Sequence, residues 1–276
     1  MPTKLGISIS NTAFALAQQG KLDVDYVVWY GQLLSSRLPE LLALKPALIH
    51  DLPEPFWLNY EAPFTEEMLH EGQALMDLAR PPWFSTGVGA SAEPQAHRDG
   101  PYREGNADDL QTREVVVANI TRHTKRLREW LKIPVALENF NYHPTNAYEY
   151  ICEPELFSQL LDATGCDMLL DLAHAQISAH NMKWPGIHEY LMAMPLHKVR
   201  EIHFTRPGWQ GDQRVDLHQP VEADDIALLG WTLDHTPDPW VTLEVGEMPE
   251  AQMIEQLAAL RRFLAERDKA KSKTNV

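Results

Sequence analysis

Eight short apolar runs, separated by helix-like stretches, limit the folds open to this chain more than any other feature. They occupy residues 5–10, 24–30, 47–52, 83–88, 135–140, 168–172, 199–204 and 241–245. They are short, apolar and often β-branched, which suits parallel strands covered by helices on their outer face. Between them, residues 112–131 place Val116, Ile120, Leu127 and Leu131 on one helical stripe, with Arg and Lys toward solvent. Another helix starts at Glu153-Pro154 and stops at Gly165, with Pro at its first turn and Gly just past its end. A last helix covers 249–266. Eight strand–helix units in alternation close into an α/β fold of the (β/α)8 TIM-barrel type, and 276 residues suit one such barrel. A doubly wound sheet would carry a Gly-rich phosphate loop after its first strand, which SISNTAFALAQQG (8–20) lacks. The expected organisation is one barrel domain over 1–267 and a flexible polar tail over 268–276.

Composition narrows the setting. No apolar run approaches the roughly 20 residues of a membrane span, and MPTKLGISIS has no secretory-signal pattern. Cys152 and Cys166 form neither a disulfide framework nor a thiolate metal motif, so a soluble protein of the reducing cytoplasm is expected. Net charge is −15, and the one Lys cluster is the short KAKSK near the end, so nucleic acid is not an expected partner.

In a barrel of this class chemistry sits at the C-terminal ends of the strands. There ALIHDL ends on His50, VALENF on Glu138 and Asn139, LLDLAH on Asp171 and His174, REIHF on His203, and TLEVG on Glu244. After the seventh strand VDLH adds Asp216 and His218, two apart and so on one side of an extended segment. A buried carboxylate costs several kcal/mol unless paired or metal-bound, and these strand ends hold almost no Lys or Arg. Imidazole and carboxylate without thiolate suit zinc, iron or manganese, and a shared carboxylate can bridge two ions. His70, His123, His188, His197 and His235 are expected on the surface; His97 is left unassigned, and His143 and His180 are candidates to meet a substrate.

The order Glu138, Asp171-x-x-His174, His203, Asp216-x-His218, Glu244 resembles the metal pattern of xylose-isomerase-like barrels, including endonuclease IV. The stretch CDMLLDLAHAQISAHNMKWPGIHEYLMAMPLHKVREIHFTRPG, with LIHDLPEP, VALENFNYH, VDLHQPV and VTLEVGEMP, resembles the DUF692 family, the multinuclear non-haem iron-dependent oxidases. That resemblance implies a barrel holding two or three irons that uses dioxygen to oxidise ribosomally made precursor peptides, often at cysteine, with a partner protein commonly delivering the peptide. It implies a central ion among Glu138, Asp171, His203 and Glu244, a second among His174, Asp216 and His218, and a third at His50. The third also expects a histidine on the fourth strand, where Gly87 stands, so two ions are expected. The family's acidic residue on the second strand is replaced within DYVVWY, its EWD is EVG, and His174 stands where Asn is usual.

Three functions are open to this pattern. In an iron oxidase, Asn139 would orient the ligands. A zinc or manganese hydrolase or isomerase would use its ions to activate a water or polarise an oxygen, with Arg206 as the candidate cation for a phosphate. A non-catalytic metal-binding homologue is the third. Pocket shape rests on the loops 93–107 and 206–213.

Overall fold

Every one of the eight apolar runs forms a strand, within two residues of the expected bounds, in a computed structural model that describes residues 2–31, 35–52, 57–92 and 110–274. These are β1 (Leu5–Ser8), β2 (Tyr26–Tyr30), β3 (Ala47–His50), β4 (Phe84–Gly87), β5 (Val135–Glu138), β6 (Asp167–Asp171), β7 (Val199–Phe204) and β10 (Trp240–Leu243). All pair in parallel and close in the order β1-β10-β7-β6-β5-β4-β3-β2. Between β7 and β10 an antiparallel hairpin, β8 (Arg206–Gln210) with β9 (Gln213–Gln219), stands outside the barrel sheet. The helices are α1 (Asn11–Gln18), α2 (Leu38–Leu42), α3 (Glu66–Ala79), α4 (Arg113–Leu131), α5 (Pro154–Thr164), α6 (Leu172–Asn181), α7 (Ile187–Ala193), α8 (Ala223–Asp234) and α9 (Glu250–Thr274). The result is a (β/α)8 TIM barrel. No helix among the described residues is long and apolar enough to cross a membrane.

Local signals set the helix bounds. Thr112 caps α4 by accepting from the Val115 N–H, and the stripe Val116, Ile120, Leu127 and Leu131 is at most 2% exposed. Burying each such side chain contributes about 1.5–3 kcal/mol. Pro154 opens α5, and Gly165 ends it in the left-handed conformation at φ 66°. Two expectations need revision. The last helix runs to Thr274 rather than stopping near 266, because Arg267 and Lys271 pair with Asp234 and Asp238, and Thr3 bonds Asp268. His123 is buried rather than on the surface: it packs edge-on to Phe64 at 5.6 Å, and burial lowers its pKa. His70, His188, His197 and His235 are exposed, while His97 lies outside the described residues.

Successive residues of a strand face opposite sides, so every second side chain enters the barrel. Tyr26, Val28, Leu48, Trp83, Ala136 and Leu169 fill the lower lumen with Trp240. Two residues further along the same rows come Tyr30, His50, Glu138 and Asp171. On β7 and β10 the inward rows read Glu201-His203 and Thr242, then Glu244. The barrel therefore changes from apolar to ionisable along its axis within one strand repeat. Gly6 leaves room for Tyr26 in the lumen: a Cβ there would stand 2.3 Å from Cε2 of Tyr26, whose hydroxyl bonds Thr242 at 2.8 Å. We expect Gly6→Ala to displace Tyr26 and to destabilise the chain by about 1–3 kcal/mol. Urea unfolding of the two proteins checks this, and equal midpoints would contradict it.

Candidate metal centre

At the upper end of the lumen Glu138, Asp171, His203 and Glu244 each offer a donor atom, and these four atoms lie within 4.8 Å of one another; all four residues are buried. They come from β5, β6, β7 and the residue following β10. His203 Nδ1 stands 3.2 Å from Glu244 Oε2 and 3.6 Å from Glu138 Oε1. Asp171 spends one oxygen capping α6, accepting from the His174 N–H at 2.7 Å, and its Oδ2 is buried with no hydrogen-bond partner. Asn139 grips the Asp171 backbone at two points, donating to its carbonyl at 3.0 Å and accepting from its N–H at 2.8 Å. An orphaned carboxylate oxygen and an imidazole nitrogen converging without thiolate fit a divalent ion bound by nitrogen and oxygen.

A second group adjoins the first. His174 Nδ1 is 2.9 Å from the Asn139 carbonyl, which turns Nε2 toward Asp216 Oδ2 at 3.5 Å. The hairpin brings Asp216 and His218 to the same side, His218 Nε2 lying 2.8 Å from that same oxygen. His218 has φ 46°, a conformation costly for a side chain of its size and held by its surroundings. On the opposite flank His50 Nε2 is 3.5 Å from Glu138 Oε2. Glu138 thus turns one oxygen to His50 and the other to His203 and His174, at 3.6 and 3.9 Å.

The remaining candidates separate by place. His143 lines the cavity above the cluster, next to Asn141. His180 is exposed at the end of α6, where it contacts the Asp212 carbonyl and the edge of Trp209. Arg206 lies outside the cavity lining and is bound by Asp225 and Glu222 at 2.9 and 3.1 Å. Among the described residues lining the cavity, the one Arg or Lys is Arg37. That cavity has a volume of about 1220 Å³ and is walled by Trp29, Trp57, Phe140 and Leu217 above the cluster. Three residues that bear on the cluster were not singled out from the sequence. Tyr30 donates to Glu244 Oε1. Asp51 sits beside His50. Glu201, fully buried, lies 3.3 Å from His203 Nε2 and accepts from Trp83 and Thr242 at 2.9 Å each. The inward register of Glu201 with His203 in REIHF is the signal that could have found it.

Electrostatics show how strongly this cluster demands positive charge. Burial pushes the Asp171 carboxyl up to about 7 against the pull of His174, and burial likewise raises Glu138. Burial works against charge on His203 too, yet Glu244 and Glu201 hold its pKa well above the usual imidazole range. For His218 burial is outweighed by Asp216, and its pKa rises to about 9. Glu244, despite burial, is held well below its ordinary value by His203 and His218. Without an ion, these raised values would let protons take the place of the cation.

Removing metal should therefore leave a pH-sensitive fold. Asp171 and His218 both have raised folded-state pKa values. The stability each confers is complete below its unfolded value, about 3.9 and 6.5, and is lost as pH passes about 7 and about 9. Glu244 and Asp216, held low, lose theirs only in acid. Between pH 6 and 9 the Tm of metal-free protein is expected to fall, while that of metal-loaded protein holds or rises, since bound ligands are already deprotonated and only the unfolded imidazoles still take up protons near pH 6. A level metal-free Tm would contradict the proton-filled cluster. Glu201→Gln is expected to weaken metal affinity about 10- to 100-fold, the usual effect of losing a ligand's supporting carboxylate; a metal titration measures it.

Similar proteins share part of this sequence and its fold. A UPF0276 protein of Paraburkholderia phytofirmans is 29% identical over 115 residues, 42% of this chain and 37% of its own. The chain spans about two fifths of the length of the curated relatives it matches. Among solved structures, a D-tagatose 3-epimerase-like protein superposes with a TM-score of 0.66 at 11% identity, covering 97% of this chain and 99% of its own. Endonuclease IV of Thermus thermophilus does so with a TM-score of 0.62 at 18% identity, covering 95% and 99%. At such identities the likeness is one of fold. The cluster at the strand ends and a family model matching residues 56–265 together assign the chain to the family of RiPP precursor modification enzymes MbnB/TglH/ChrH.

Proposed function

We propose that this chain is a multinuclear non-haem iron-dependent oxidase that uses dioxygen to modify a ribosomally made precursor peptide, with a cysteine side chain as the target. The observation that carries the reading is the buried nitrogen-and-oxygen donor set opening on a cavity of about 1220 Å³, in a member of a peptide-modifying family. Single small-molecule sites run about 300–1,000 Å³, so the volume suits a segment of peptide. Iron, when bound, supplies redox chemistry and a place for a substrate heteroatom.

The chain's own residues do the rest. Glu138, Asp171, His203 and Glu244 would hold the central ion, and His174, Asp216 and His218 a second. Glu138, with an oxygen on either side, is the carboxylate placed to be shared. Tyr30 fixes Glu244 and Asn139 fixes Asp171, so the ligands are set before metal arrives. Trp29, Trp57 and Phe140 wall the cavity, keeping bulk water from the peptide side chain. A peptide-delivering partner protein and a reducing cytoplasm complete the proposal; Cys152 and Cys166 are both buried thiols that such a compartment preserves.

A zinc or manganese hydrolase or isomerase is the second reading, favoured by the imidazole of His174 beside Asp216 and His218. A phosphorylated substrate fits it poorly, because Arg206 is engaged by Asp225 and Glu222. A non-catalytic metal-binding homologue would share the ligands without turnover.

Protein purified without oxygen after iron-replete expression should contain two or more irons per chain, with an iron spectrum that changes on exposure to air. Zinc in their place, with no iron, would overturn the oxidase. Asp171→Ala and His203→Ala should each lower the metal content sharply, and unchanged stoichiometry in both would mean the central ion lies elsewhere.

A further inference from the structure

We propose that His50, Asp51 and Glu138 hold a third ion, with Asp51 taking the part that the family resemblance gives to a histidine near Gly87. This rests on the metalloenzyme reading above and extends it to a site for a hard cation such as iron or manganese.

His50 is the starting point. It is 5% exposed, and its Nδ1 is 3.0 Å from Ser85 Oγ, which leaves Nε2 to face the cavity. Two carboxylate oxygens face Nε2, Asp51 Oδ2 and Glu138 Oε2, each at 3.5 Å. A proton bridges an imidazole and a carboxylate at about 2.7–2.9 Å, so neither contact has the length of a charge-assisted hydrogen bond. Ligands bound at about 2.0–2.2 Å around a tetrahedral ion stand about 3.3–3.6 Å apart, which both distances match.

Asp51 is held for this task. Its φ of 59° lies in the left-handed region, which aspartate tolerates better than most residues. Its Oδ1 accepts from the Thr86 hydroxyl at 2.7 Å and the Gly87 N–H at 3.4 Å, which ties the side chain to the end of β4. One oxygen is thereby anchored and the other left facing His50. Gly87 leaves the intervening space open: a Cβ there would meet only Phe140 at 3.6 Å and Glu138 Oε2 at 3.8 Å, ordinary contacts. The carboxylate, on the residue after β3, is thus tied to the end of β4 beside Gly87. With one imidazole and two carboxylates, the site is richer in anionic oxygen than a two-histidine site. That donor set favours hard cations over soft ones.

Iron counting on the full chain, loaded with Fe(II) without oxygen and then desalted, tests the assignment. Wild type should retain three irons. Asp51→Gly, which accepts the left-handed backbone without strain, should retain two. Asp51→Asn, which keeps an acceptor for Thr86 and Gly87, should weaken the third ion by more than about tenfold, the loss common when even a supporting group is removed. Adding Gly87→His to Asp51→Gly should restore the third. Three irons in Asp51→Gly, in protein with a wild-type melting curve, would overturn the proposal. Two irons in wild type, unaffected by Asp51→Gly but lost in His203→Ala, would overturn it and leave the two-ion reading standing. No retained iron in wild type would overturn both.

Discussion

Carboxylates inside a protein stay ionised only beside positive charge, and the upper lumen of this barrel gathers them from β5, β6 and the end of β10 with no lysine or arginine among the described residues of the cluster. Glu138, Asp171 and Glu244 lean instead on His203, His174 and His50. Imidazoles can answer the demand by taking up protons, but then donors converge while Asp171 Oδ2 stays unpartnered. A metal ion resolves both problems at once. The apolar floor beneath, built by Tyr26, Val28, Leu48, Ala136 and Leu169, excludes water from one side and sharpens the need.

Much of this is legible in the sequence alone. Parallel strands announce themselves as apolar runs, and their helices by caps and stops such as Thr112, Pro154 and Gly165, so the barrel followed from alternation. The candidate cluster is legible for a related reason: a His or carboxylate closing a buried strand is anomalous, and anomalies there point to chemistry. What could not be read depends on three-dimensional register. In REIHF Glu201 reads as one more polar residue, whereas β7 turns it inward under His203. Tyr30 hid in an apolar run, and Asp51 behind the stronger claim of His50. His123 was misplaced because charged neighbours on α4 suggested solvent, whereas Phe64, packed from another segment, covers the ring. Arg206 followed a ligand in sequence, but its strand carries it to the N-terminal end of α8 and two acidic partners.

Support for the ligands is graded along the barrel axis. Glu201 stands below His203, fastened by Trp83 and Thr242, and Thr242 also bonds Tyr26. That chain of contacts links the packing of the lower lumen to the orientation of one imidazole. A change several ångströms beneath the cluster can therefore reach the ion without touching a ligand.

The hairpin has a different standing. Its strands pair only with each other, and Asp216 and His218 ride on the one nearer α6, tied there by the Asn181 side chain to the backbone of Arg214. The central ligands, by contrast, are fixed in a closed sheet that opens only with the fold. Two neighbouring ions would then exchange on separate clocks. The one on the hairpin would come and go with ribbon motion, and the one on the barrel would be retained for the lifetime of the native state.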